Sequence, residues 1–228
     1  MPNRYFTQAS FDFLKNLDRN NNREWFNDHK QEYEDKVRGP ALDFIADIGD
    51  DLYNISPHFL AIPKKVGGSL MRVYRDVRFG KDKRPFKTNI GIQFRHELGK
   101  DIHAPGFYLH LEPDECFVGV GIWRPDALAL GKIRTAISEN GQTWLKVTQE
   151  KAFKQKFKLS GETLTNPPRG YAREHPMIVD LKRKDHIAFT QLNIKRVITA
   201  GITGDVVKSF KIAVPYMKIL CKALDLQF

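Results

Sequence analysis

The strongest constraint on the fold is the stretch GFYLHLEPDECFVGVGIW, residues 106–123, where apolar residues alternate with others on both sides of a Pro–Asp pair. A period of two is typical of strands that bury one face, and Pro113–Asp114 between them predicts an antiparallel hairpin. The alternative is a longer loop in another register, because proline cannot take the positive φ of the favoured two-residue turns. If Glu112 pairs with Glu115, the core face carries Phe107, Leu109, Leu111, Cys116, Val118, Val120 and Ile122.

The opposite face of the same hairpin is expected to hold a shallow depression. Gly119 and Gly121 fall opposite Tyr108 and its neighbour, and glycines in a strand leave the floor without side chains. His110 lies beside Tyr108, and an imidazole can do acid–base work near neutral pH. The alternative is a histidine without any chemistry, which is the commoner case. Trp123, at the end of the second strand, is expected in the core, and the alternative is a place at the edge of the depression.

The chain before the hairpin is predicted to be helical. Thr7 and Asn22 are placed to cap two helices that carry apolar residues at helical spacing. Pro40 is expected to end or kink the second helix, because it lacks a backbone N–H. A third helix is predicted through residues 42–52.

The chain after the hairpin is predicted to end in helices. Residues 125–139 read as a helix that buries Leu128, and residues 177–193 as one or two strands. Residues 204–224 form an amphipathic pattern that Pro215 interrupts or kinks.

These elements favour a single α+β domain over residues 1–228, with N-terminal helices, a central antiparallel sheet and C-terminal helices packed on the sheet. The hydrophobic content of 41% is enough for a core. Two distant cysteines, Cys116 and Cys221, cannot form a disulfide framework, so a reducing, cytoplasmic location is expected. The start has no signal-peptide pattern and the apolar runs are too short for a bilayer, so no membrane partner is expected.

The positive charge of the chain is concentrated in the basic block, defined here as residues 72–87. Seven cations and two aspartates in this block leave five positive charges, half of the net charge of +10. A basic surface attracts phosphorylated metabolites and nucleic acids. Six cations are predicted to surround one anionic group: Arg72, Arg75, Arg78, Lys81, Lys83 and Lys87.

Five further residues are predicted to line the pocket beside these cations: Tyr74, Asp76, Asp82, Tyr108 and His110. The two aspartates would orient the arginines through charge-assisted hydrogen bonds. Gly80 suits a bend in the loop, while Phe79 and Phe86 are expected to pin it to the core, so that less side-chain entropy is lost on binding.

The leading hypothesis is recognition of a small phosphate or carboxylate, and its more specific form is an enzyme acting on a small phosphorylated substrate. The alternative is a nucleic-acid-binding module, with cations along a ridge and exposed aromatic residues for stacking. A third reading is a structural block fully paired to acids. Neither a phosphate-binding loop, a dinucleotide fingerprint, nor a GxSxG or metal-ligand spacing is present. No metal is therefore expected, and the sequence does not say which cofactor, catalytic residues or oligomeric state the protein has.

Four stretches together resemble one family: FLKNLDRNNNREWFNDHKQEYEDKVRGP, RVYRDVRFGKDKRPFKTNIG, GFYLHLEPDECFVGVGIWRP and NPPRGYAREHP. They are similar to the family named domain of unknown function 2461 over nearly the full chain. The resemblance implies a one-domain protein with the basic block as its hallmark, and it implies no substrate. Phe86 departs from the tyrosine expected in most relatives, which removes a hydroxyl from the block.

Overall fold

The computed structural model describes residues 5–78, 81–99 and 104–228. Helices lie at both ends of the chain and an antiparallel sheet lies between them, so the predicted α+β class is confirmed. Among the described helices, none combines the length and the apolar character that crossing a membrane requires.

The described part of the sheet has six strands in the order β1–β2–β3–β4–β6–β5, with each neighbouring pair antiparallel. Their bounds are β1 (Phe59–Leu60), β2 (Ile90–His96), β3 (Gly106–Leu111), β4 (Cys116–Ile122), β5 (Lys158–Ser160) and β6 (His186–Gln191). The edge of β2 that pairs with β1 also pairs with the segment just before the basic block, through an isolated bridge between Leu70 and Ile92.

The predicted hairpin and its register are confirmed. Leu111 lies opposite Cys116, and Glu112 and Glu115 exchange both backbone hydrogen bonds, at 2.9 and 3.2 Å. The alternative of a longer loop was wrong. The two-residue turn needs no positive φ at Pro113 or Asp114, because proline at the first central position suits a turn with ordinary φ.

The N-terminal helices are α1 (Gln8–Arg19), α2 (Arg23–Asp28), α3 (Lys30–Tyr33), α4 (Gly39–Asp47) and α5 (Gly49–Ile55), with a π-helical turn (Glu34–Arg38) before α4. Asn22 caps α2 as predicted, since its Oδ1 accepts a hydrogen bond from the Trp25 N–H at 2.9 Å. Pro40 lies in the first turn of α4, where the missing N–H would have no helical partner and so costs little. The π-helical turn just before α4 accommodates the change in helix geometry at this proline. The predicted third helix is divided between α4 and α5 at Ile48.

The C-terminal helices are α6 (Ala127–Glu139), α7 (Gly141–Thr148), α8 (Lys151–Lys156), α9 (Ile178–Leu181), α10 (Ile194–Val197) and α11 (Ile202–Ala223). Residues 177–193 contain one strand, β6, within the predicted one or two, and α9 precedes it. Two expectations were wrong here: Leu128 is 72% exposed and Trp123 is 64% exposed, whereas both were expected to be buried. Pro215 lies inside α11, which continues on both sides of it.

One face of the sheet is buried beneath helices. On α11, the Phe210 ring lies 4.5 Å from Phe107 and 5.8 Å from Phe94, between ring centroids. The residues predicted for the core face of the hairpin are all buried there. The other face of β3 and β4 carries half-buried residues, including Tyr108 and Gly119, and we call it the open sheet face.

A buried polar cluster joins α7, β6 and α11. The ring of His186 lies 5.7 Å from that of Trp144, which lies 5.7 Å from that of Tyr216. In the described part of the chain, neither imidazole nitrogen of His186 has a hydrogen-bond partner. Burial, helped by the positive charges of Arg183 and Arg134, lowers the pKa of His186 to about 3. His186 is therefore neutral in the folded protein at neutral pH.

This cluster predicts a loss of stability in acid. An unfolded histidine binds a proton near pH 6.5, before His186 does in the folded state, so the unfolded state gains protons first as pH falls. The free energy of unfolding should fall by up to about 1.4 kcal/mol per pH unit below about pH 6.5 from this residue alone. His186→Leu should remove that contribution, which urea unfolding of both proteins at several pH values measures. A difference between the two proteins that is independent of pH would contradict the assignment.

Candidate functional site

The two ends of the basic block are paired like a hairpin. Tyr74 forms a bridge with Phe86, the Arg75 N–H donates to the Pro85 carbonyl at 2.8 Å, and the Lys87 N–H donates to the Val73 carbonyl at 2.7 Å. This pairing places Lys87 beside the first residues of the block although they are distant in sequence.

Phe86 fixes the block to the N-terminal helices. Its ring stacks on Phe26 with centroids 4.1 Å apart. The Asn21 side chain, in the turn between α1 and α2, accepts from the Phe86 N–H at 3.0 Å and donates to its carbonyl at 3.1 Å. The block is thus anchored at Phe86, whereas Phe79 and Gly80 lie outside the described residues.

The two aspartates of the block bind its arginines. Asp76 accepts from Nε and Nη2 of Arg78, at 3.0 and 2.7 Å. Asp82 accepts from Arg75 at 2.6 Å and from Arg84, which also reaches Asp18 at 2.6 Å. Hydrogen bonds from Arg78 and from Arg84 lower the pKa of Asp76 and of Asp82, respectively, well below the usual carboxyl range. These charges are therefore balanced within the block and α1.

Three of the six predicted cations lie together, and we call Arg72, Arg75 and Lys87 the cation cluster. Lys87 is half-buried, and its burial, followed by the positive charges of Arg72 and Arg75, lowers its pKa. Across residues 5–78, 81–99 and 104–228, no carboxylate forms an ion pair with Arg72 or Lys87. The cluster thus holds positive charge that the described residues do not neutralise.

The other three predicted cations turn elsewhere. Arg78 forks onto Asp76, and Lys83 donates to the Val77 carbonyl at 2.9 Å. Lys81 is exposed. The structure therefore brings half of the predicted set together and leaves the other half along the loop.

The open sheet face carries a cavity of about 690 Å³, which we call the sheet-face cavity. Of the five residues predicted to line a pocket, Tyr108 and His110 line this one. Tyr74, Asp76 and Asp82 are absent from its described lining. Its principal lining residues are Gln93, Arg95, Tyr108, Phe117, Gly119 and Phe189.

A row of hydrogen bonds runs along β3 at one end of the cavity. The Tyr108 hydroxyl lies 3.0 Å from His110 Nδ1, and His110 Nε2 lies 3.3 Å from Glu112 Oε2. Because a carboxylate accepts, we assign the imidazole proton to Nε2, and Nδ1 then accepts from the Tyr108 hydroxyl. Thr88 donates to Glu112 at 2.8 Å.

The surroundings of Tyr108 keep its hydroxyl protonated. Burial, followed by the charge of Glu112, raises the pKa of Tyr108 to about 12. The His110 ring is also stacked on Phe117 with centroids 4.7 Å apart. The row can therefore orient a neutral phenol and an imidazole at the cavity. In the described residues no three His, Cys, Asp or Glu side chains are grouped as metal ligands would be.

Several cavity residues were missed from the sequence. Arg95 and Gln93 alternate with the buried residues of β2, and this pattern could have placed them on the open sheet face. Phe189 could not have been found in this way, because its place depends on the pairing of β6 with β4. Trp123 also lines the cavity, because it continues the alternation that places Phe117, Gly119 and Gly121 on the open sheet face.

The anchoring by Asn21 can be tested by substitution. Asn21→Ala leaves the N–H and carbonyl of the buried Phe86 without their side-chain partner, which should cost about 1–3 kcal/mol. Thermal unfolding should show a fall of about 2–4 °C for each kcal/mol. Asn20→Ala is the matched control, because the exposed Asn20 amide follows α1 and donates to the Asn16 carbonyl of that helix rather than to the block. Equal losses in both variants would show that the block is not held by Asn21.

Comparison with known proteins identifies the family. A family model described as "Conserved hypothetical protein (DUF2461)" matches residues 9–218 of the 228. No curated protein and no solved structure matches the chain. Because the matched region includes the basic block and all six strands, the chain belongs to the DUF2461 family.

Proposed function

We propose that this protein recognises a small anionic group, a phosphate or a carboxylate, at the cation cluster. The observation that carries the proposal is Lys87, a half-buried cation beside Arg72 and Arg75 with no carboxylate paired to it among the described residues. Burying a positive charge beside other positive charges is unfavourable. A bound anion would reduce both the cost of burying the ammonium group and the repulsion between the cations.

The geometry of the block favours a small ligand over a polyanion. Arg75 is held by Asp82, and the backbone between Val73 and Lys87 is paired, so the cluster is already ordered before binding. Arg78 and Arg84 bind acids of the protein itself, so they do not form a row of free cations along a ridge. A guanidinium group and an ammonium group that lie close together can both bind the oxygens of one phosphate or carboxylate.

The role proposed for these cations is to bind the anion, and no chemical step is assigned to them. An enzyme acting on a phosphorylated substrate would need a reacting group besides them. Nucleic-acid binding would instead show as oligonucleotide affinity that falls steeply with salt.

Isothermal titration with inorganic phosphate tests the cluster. Lys87→Met should weaken binding about 10-fold or more, as expected for loss of a charge-assisted hydrogen bond. The melting temperature without ligand should equal or exceed that of the wild type, because the variant removes a cation that is disfavoured in the folded state. Lys81→Met makes the same change of charge at an exposed position of the block and should bind normally.

Two results would overturn this proposal. One is equal weakening by both variants, together with oligonucleotide affinity that falls steeply with salt, as a polyanion surface requires. The other is a large drop in the unliganded melting temperature of Lys87→Met, which would make Lys87 a structural residue.

The lowered pKa of Lys87 also predicts a pH dependence. Phosphate needs the charged ammonium, and Lys87 loses its proton in the folded protein below the usual lysine value of about 10.4. Affinity should therefore decline at a lower pH than for an ordinary lysine. The unliganded protein should gain stability over the same range, since the unfolded state holds the proton longer. Lys87→Arg stays charged and should keep its affinity, as titrations above about pH 8 would show; parallel declines in both proteins would contradict the role of Lys87.

A further inference from the structure

The floor of the sheet-face cavity is bare backbone. Gly106 lies opposite Gly121, and Gly119 lies opposite Tyr108 on one side and Phe189 on the other. Three glycines on adjacent strands thus leave a patch without side chains on the open sheet face, and aromatic residues flank it. Glycine inside a strand often marks a place where a ligand approaches the backbone.

Gly119 differs from the two glycines beside it. Gly121 has a φ of 109°, and a Cβ there would come within 2.1 Å of the His186 carbonyl oxygen, so the backbone itself requires glycine. A Cβ at Gly106 would lie 3.2 Å from the Phe94 carbonyl oxygen, which is tight. At Gly119 the nearest atoms would be Tyr108 Cβ and Cδ1 at 3.6 Å and Phe117 Cε2 at 3.7 Å, all ordinary contacts. An added methyl group would therefore fit at 119, so the backbone does not itself require glycine there, although glycine weakens a strand interior.

The walls beside Gly119 suit a flat ring. Tyr108 and Phe189 stand two strands apart, or about 9.5 Å between backbones. The bare backbone of Gly121 and Gly106 continues this floor on the side away from Phe117. Phe117 closes one end, with its centroid 5.9 Å from Tyr108 and 6.0 Å from Phe189. The hydrogen bond from Tyr108 to His110 holds the first wall in place.

A cation lies at the other end of the cavity. Arg95 pairs with Gly106, and its Nε donates to Gln93 at 3.1 Å. Among the described residues no carboxylate forms an ion pair with Arg95, although its side chain lines the cavity. Glu115 lines the hairpin-tip end, so a ligand's negative charge is favoured at the Arg95 end. A guanidinium binds carboxylates through parallel hydrogen bonds.

We infer that the sheet-face cavity binds a planar aromatic carboxylate, with the ring over the glycine patch from Gly119 to Gly121, beside Tyr108 and Phe189, and the carboxylate at Arg95. The volume of about 690 Å³ lies in the range of small-molecule sites. The inference uses none of the cation cluster residues, so it stands or falls independently of phosphate binding there.

The test is titration of the whole protein with a naphthalene carboxylate, with binding measured by calorimetry and by ligand-observed NMR. The wild type should bind it, and should bind the non-planar cyclohexane carboxylate at least about 10-fold more weakly. Gly119→Leu fills the floor and should abolish binding. Gly119→Ala, whose added methyl meets only an ordinary contact, should fold and weaken binding by about 3-fold or more.

A third variant distinguishes binding of the carboxylate from binding of the aromatic ring, and a fourth is a control. Arg95→Met should weaken the carboxylate about 10-fold while leaving the uncharged naphthalene methanol unaffected. Gly204→Ala is the matched glycine control, since a Cβ there meets nothing within 4 Å and lies on α11. The inference is overturned if the wild type does not bind the naphthalene carboxylate, if Gly119→Ala binds like Gly204→Ala, or if cyclohexane carboxylate binds equally well.

Discussion

The two-faced β3–β4 hairpin is the constraint on which the rest of the structure depends. Its apolar residues pack beneath α11, where Phe210 meets Phe107, and a shift of register by one residue would turn them toward the open sheet face. Because burial fixes the register, it also fixes which residues stand on the open face. Tyr108, His110 and Glu112 form one row, and the strand glycines form the floor beside it.

The basic block illustrates how little net charge says about available charge. Seven cations against two aspartates suggest a strongly positive surface, yet Asp76, Asp82 and Asp18 engage Arg78, Arg75 and Arg84. Of the block cations without a carboxylate partner among the described residues, Lys81 and Lys83 are exposed along the loop, whereas Arg72 and Lys87 lie together at its base. There the backbone is paired and Phe86 is buried, so a ligand would meet an ordered site.

The sequence predicted the parts of the fold that depend on local patterns. Alternation identified the hairpin and its faces, and the capping residue Asn22 located α2. Contacts between distant segments were out of reach: the stacking of Phe86 on Phe26 and the pairing of Phe189 with Gly119. For the candidate site, the sequence predicted the basic block, but which of its cations lie together depends on the pairing of Val73 with Lys87.

The most direct test of this account is an NMR titration of the Lys87 ammonium group, with and without phosphate. The account predicts a pKa below that of an ordinary lysine in the free protein, because of burial and the neighbouring Arg72 and Arg75. It also predicts that phosphate raises this pKa, since a bound anion favours the charged form. An ordinary lysine pKa that phosphate leaves unchanged would contradict the central claim that uncompensated charge at this position recognises an anion.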